Sequence, residues 1–244
     1  MEQLKSYADE RLINGCIYCG GRDETRDHVP SRVFLDPPLP ENLPVVGACR
    51  DCNGGFSRDE EYLACLIESV LAGTTDPTRI RRPGVASILQ RSPALRARLE
   101  AVKTNQGGRT QFGIEPERVR NVLLKLARGH AAYELSQPCR HEPSSVRFWP
   151  IGLMADDERD SYEAGYVADT FGEVGSRALQ RLLVTQLVLE SGDGEKSTTG
   201  LVVNDWVDVQ DGRYRYHAID TSGEIRIKLV IGEYLASEIV WSDE

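Results

Sequence analysis

The 244-residue sequence contains no stretch of about 18 consecutive apolar residues, which excludes a membrane-spanning apolar helix. Its first residues, Met1-Glu2-Gln3-Leu4-Lys5, lack the basic region and apolar run of a secretory leader, so the expectation is a soluble, cytoplasmic chain. Internal repeats and low-complexity tracts are missing, which removes repeat architectures from consideration. Net basic charge is missing as well. The 29 Lys and Arg face 38 Asp and Glu, a formal charge of −9, whereas nucleic-acid-binding proteins usually carry a basic footprint. Histidine is scarce, and its four residues confine imidazole chemistry to His28, His130, His141 and His217.

What is present is unevenly placed. Residues 1–76 hold 7 basic against 14 acidic residues, and residues 129–244 hold 10 against 21. Residues 77–128 reverse the balance with 12 against 3, including Arg79, Arg81, Arg82, Arg91, Arg96, Arg98, Lys103 and Arg109. If that segment forms one face it can contact several phosphates, with Arg79, Arg81 and Arg82 as nucleic-acid-binding candidates. The competing reading is a solvated surface that pairs with the acidic remainder of the chain.

Six cysteines divide into two kinds. Cys16/Cys19 and Cys49/Cys52 are two Cys-x-x-Cys pairs with the spacing of a tetrahedral structural zinc site. Cys65 lies in an apolar helical pattern as a small buried hydrophobe, and Cys139 stands alone after Pro138. Metal-knuckle spacing with isolated remaining thiols fits a reducing compartment.

The chain reads as α+β in two parts. An N-terminal zinc-bound hairpin and helix occupies residues 1–75, and residues 76–244 hold a basic helical segment followed by an antiparallel β-rich domain. Ser57 and Glu60 have the form of a capping box for a helix running to Gly73. Residues 86–102 and 116–135 read as helices separated by Gly107-Gly108. Leu201-Val202-Val203, Arg213 to His217 and Glu224 to Ile231, punctuated by Asp211-Gly212 and Ser222-Gly223, suggest an antiparallel meander. His130 falls on an apolar helical face as a packed core residue.

Between the cysteine pairs lies a set of groups suited to phosphodiester hydrolysis. Asp27 presents a hard carboxylate oxygen for magnesium, and Asn53 can add a neutral oxygen to the same ion. His28, with an ordinary pKa of about 6.5, can accept a proton from water at neutral pH. Asn42 can hold the imidazole through one ring N–H and leave the other nitrogen as the base. The bland alternatives are a structural histidine at His28, and turn or cap chemistry at Asn42 and Asn53.

Across Cys16-x-x-Cys19, Asp27-His28-x-Pro30, Asn42-Leu43 and Cys49-x-x-Cys52-Asn53, the sequence resembles the HNH endonucleases, members of the ββα-metal or His-Me finger nucleases. The match covers about residues 10–70. The resemblance implies that His28 is the general base, that Asp27 and Asn53 hold a catalytic magnesium or manganese ion, and that Asn42 orients the site. It implies a structural zinc on the four cysteines, DNA as substrate, products with 5′ phosphate and 3′ hydroxyl, and a setting in restriction or defence. Asn53 stands where a final histidine is common, and Gly54-Gly55 replaces more basic residues, shifting phosphate contact toward residues 77–128. The C-terminal region is then left for a homodimer contact or a regulatory partner. The alternative is a non-catalytic zinc-ribbon module that binds nucleic acid or protein.

Overall fold

Two short β-rich segments, Thr25–His28 (β1) and Val45–Ala48 (β2), pair antiparallel with Thr25 opposite Ala48 and His28 opposite Val45. The computed structural model in which they are seen describes residues 14–167, 176–192, 194, 196–221 and 223–242. The N-terminal residues read for a leader and Ser222 of the second turn signal lie outside this set. After β2 the chain enters α1, Arg50–Ala72, at the second cysteine pair. The Cys49 sulfur accepts the Cys52 N–H at 3.4 Å and caps the helix, which ends at Gly73 with φ of 64°. This corrects the capping box at Ser57 and Glu60, which both lie inside the helix.

The helix expected over residues 86–102 is broken in two. Pro83–Arg91 (α2) and Pro93–Ala101 (α3) meet at Ser92. Pro93 has no N–H to donate and disfavours helical geometry at the residue before it, and Ser92 accordingly adopts φ −119° and ψ 75°. Gly107-Gly108 does not simply separate helices, because it turns a hairpin of Lys103–Gln106 (β3) and Arg109–Phe112 (β4). Pro116–Leu135 (α4) forms as its periodicity requires.

The remainder is rich in antiparallel strands. Ser145–Pro150 (β5) precedes the helix Asp156–Glu163 (α5), the short strand Tyr166–Val167 (β6) and the single turn Arg177–Gln180 (α6). Leu183–Glu190 (β7), Lys196–Asn204 (β8), Val207–Gln210 (β9), Tyr214–Thr221 (β10), Glu224–Ile231 (β11) and Leu235–Ser242 (β12) follow. The main sheet has the order β5-β12-β11-β10-β9, and a separate sheet has the order β6-β8-β7. Leu201 to Val203 therefore belongs to the smaller sheet and not to the meander.

The fold is α+β, with α4 as its central member. One apolar core joins Leu63 and Ile67 of α1, Leu123 and Ala127 of α4, and Tyr214, Leu229 and Ile239 of the main sheet. A smaller cluster of Ile17, Tyr18, Val29 and Val46 beneath the cysteines closes on Ala132 of the same helix. The core passes residue 75 without interruption, with Thr74 and Thr75 buried, so the expected division there is not visible as a gap between two cores. His130 is a core residue. Its Nε2 lies 2.8 Å from the Tyr214 hydroxyl, its ring stacks on Tyr216, and burial pushes its pKa well below the usual value. No helix among the described residues is long and apolar enough to cross a membrane.

Candidate functional site

The four sulfurs of Cys16, Cys19, Cys49 and Cys52 lie within 4.8 Å of one another, and those of Cys19 and Cys49 are 3.8 Å apart. A tetrahedral zinc ion with Zn–S bonds of about 2.3 Å requires sulfur separations of about 3.8 Å, so the cluster can hold a metal such as zinc. Local sequence explains the convergence. Gly15 and Gly20 adopt φ of 80° and 78°, Cys16 N–H donates to Gly21 O, and Gly20 N–H donates back to Cys16 O, folding the first knuckle into a tight loop. The second knuckle is the first turn of α1, whose positive end favours thiolates. Burial acts to raise the Cys16 thiol, but the amides of Cys49, Cys19 and Tyr18 aimed at its sulfur outweigh that and bring it down to about 7.

Within β1, successive side chains point to opposite faces of the hairpin. Asp27 points inward and is buried. Its Oδ2 accepts the Tyr18 hydroxyl at 2.7 Å, and the Lys125 ammonium of α4 lies 3.1 Å from Oδ1 and 3.0 Å from Oδ2. Lys125 also donates to Ser31 Oγ at 2.5 Å and Glu60 Oε1 at 2.7 Å, which satisfies all three of its protons. Burial, and next the negative charge of Asp27, hold the Tyr18 phenol well above its ordinary range, so it remains a donor. Asp27, expected beside Asn53, is thus held by Tyr18 and Lys125.

His28 takes the outer face, where it is half-buried and shares its side of the strand with Arg26. Among the described residues neither ring nitrogen has a protein hydrogen-bond partner. Burial lowers its pKa first and the guanidinium of exposed Arg32 second, while the charge of Asp27 opposes them; the net shift is downward. The imidazole is therefore predominantly neutral at pH 7. Asn42 is exposed in the connection before β2 and makes no hydrogen bond to His28, so the expected orienting contact is not formed. Asn53 lies in the second turn of α1, and its Nδ2 donates to Thr25 Oγ1 at 3.1 Å and to Arg26 O at 3.5 Å.

The basic segment is mostly spent within the molecule. Arg82 is buried, pairs with Asp36 at 2.7 Å, and donates to Val33 O and Leu35 O, so it ties the β1–β2 connection down and is withdrawn from the nucleic-acid-facing set. Arg91 pairs with Glu61, Arg118 with Asp59 and Arg120 with Glu142. Arg79 and Arg81 remain exposed.

No protein-family model, curated protein or solved structure matches this chain. The site therefore rests on its own geometry.

Lys125 was not legible as a site residue because it counted as one more cation of a basic segment. Its signal was positional. It stands among Val122, Leu123, Leu126 and Gly129 on a helix whose neighbours are buried, and a lysine there needs a carboxylate partner. Tyr18, Ser31 and Glu60 complete the group, and of these only Glu60 carries the charge that a search for acidic residues would notice.

Proposed function

We propose that the hairpin and helix of residues 16–72 form a phosphodiesterase of the HNH kind acting on DNA, with His28 as general base. The observation that carries this reading is the setting of His28: half-buried, with burial holding its pKa below the ordinary value, without a hydrogen-bond partner at either ring nitrogen among the described residues, and set beside Arg26 and Arg32. A neutral imidazole takes the proton from a water molecule attacking phosphorus, the bond from phosphorus to the 3′ oxygen breaks, and that oxygen leaves as the 3′ hydroxyl with a proton from solvent water. The two guanidiniums bind the non-bridging oxygens and stabilise the charge that builds on them. Zinc on the four cysteines supplies the rigidity that keeps β1 and α1 in register.

The resemblance assigns magnesium or manganese to Asp27 and Asn53, and the fit is incomplete. The Asn53 oxygen is of a kind that suits such an ion, but both Asp27 oxygens already accept hydrogen bonds, Oδ2 from Tyr18 and Oδ1 from Lys125. None of the steps above passes through a divalent metal. Arg79 and Arg81 would extend the path of the nucleic acid, and the C-terminal sheets would contribute self-association or regulation.

Plasmid nicking across a magnesium, manganese and chelator series tests the reading. Replacing His28 with alanine is expected to slow nicking by about 100-fold or more, the usual contribution of a positioned base. The acid limb of kcat/KM should have its midpoint below about 6.5, because the imidazole is depressed in the folded protein. Equal nicking by His28→Ala and the parent removes the assignment. One observation favours the second reading, a non-catalytic zinc-ribbon module: the Asp27 cluster is fully satisfied, as a purely structural group would be. That reading expects salt-dependent DNA retention without cleavage by either protein.

A further inference from the structure

Among the described residues β7 forms one edge of the β6-β8-β7 sheet, and all 8 of its residues are exposed. Val184 is 79 % exposed, Leu183 59 %, and Val188 and Leu189 55 % each. An edge strand presents a row of unpaired N–H and C=O groups, and monomeric proteins guard such edges with lysine, proline, a bulge or short length. β7 has none of these devices. Its register against β8 runs unbroken from Leu183 opposite Val203 to Glu190 opposite Lys196, giving about 27 Å of straight edge. Its one charge, Glu190, sits at the far end and is paired with Lys196 at 3.3 Å. Directly across the ribbon from Gln186 stands Gly200, so nothing on β8 crowds the middle of the strand.

The sequence of β7 identifies what fits this edge. Read outward from Gln186, Val184 mirrors Val188 and Leu183 mirrors Leu189, with Thr185 facing Leu187 as the single mismatch. A two-fold axis perpendicular to the sheet, placed beside Gln186 and midway between the paired strands, brings a second β7 alongside, antiparallel, with valine opposite valine and leucine opposite leucine. Gln186 then meets itself, and an amide side chain can both donate to and accept from its own copy. Contacts about a two-fold require this self-complementarity, and a strand from a different protein gives no reason for it. We propose that two copies of this chain associate through β7, joining their three-stranded ribbons into one continuous six-stranded antiparallel sheet. The leucine-bearing faces of the two ribbons become contiguous across the axis, and the unpaired edges are consumed.

Light scattering coupled to size exclusion, run on the full chain across a dilution series, reads the association. The parent is expected to be a dimer. Val184→Lys with Val188→Lys places lysine opposite lysine on both sides of the axis and should give a monomer. Val184→Lys with Val188→Glu places lysine opposite glutamate and should remain a dimer. Both positions are exposed, so both variants should keep the parent's circular dichroism spectrum, with the monomeric one melting lower because it loses the stabilisation of association, and the mass of the parent decides the matter even where a variant folds poorly. A parent that is monomeric at every loading overturns the proposal, as does a Lys/Lys variant that stays dimeric or a Lys/Glu variant no more dimeric than Lys/Lys.

Discussion

At the scale of single residues, the group around Lys125 dominates. The contact between Lys125 and Asp27 joins residues 98 positions apart, a separation that no local pattern announces. Lys125→Met removes the cation that, among the described residues, pairs with two enclosed carboxylates, and leaving such charges unpaired typically costs about 3–5 kcal/mol. Urea denaturation should show a loss of that size. A loss below about 1 kcal/mol would mean that solvent screens Asp27 and Glu60 in the parent. The cysteine pairs, by contrast, were fully legible, because metal geometry is written into a two-residue spacing. The helix start was misread for a related reason. Cys49 caps α1 with a sulfur, and cap rules written for oxygen side chains point instead to Ser57.

At the scale of elements, the approach of α4 to the hairpin depends on Gly129. A Cβ built there would sit 2.6 Å from Val29 Cγ2 and 2.9 Å from Cγ1, so the helix can lie against β1 only without one. Lys125 is one turn earlier on the same face, which is how it reaches Asp27. Alanine is preferred over glycine inside a helix by about 1 kcal/mol, yet Gly129→Ala is expected to destabilise, because overpacking a tight contact costs about 1–3 kcal/mol. Val29→Ala in the same chain removes both clashing methyl groups and should recover part of the loss. A Gly129→Ala variant more stable than the parent would show that the helix can shift freely. The length of α4 was legible from its periodicity. The break at Ser92 was signalled by Pro93, and the β3–β4 hairpin was hidden because Lys103 to Gln106 is polar and has no alternation to read.

At the scale of the whole molecule, mixed α and β structure was legible from composition and pattern, and the continuity of the core was not. Continuity arises from α1, α4 and the main sheet meeting face to face, a fact of three dimensions that charge blocks and linker-like residues do not encode. It also explains the fate of the basic segment, whose arginines answer acids on α1 and in the loop after α4. Metal removal should therefore act beyond the knuckles. A strong chelator is expected to release about one zinc per chain and to lower the melting temperature of the whole protein in one cooperative step. A chelator-treated protein with an unchanged melting temperature would dismiss the zinc as structural support. Lys125 carries one more consequence. The four-cysteine unit is no cassette: a recombination or cloning event that takes residues 14–75 without α4 exports two acids stripped of their counter-ion. The donor chain keeps an orphan cation in its interior, so the two parts can only be inherited together.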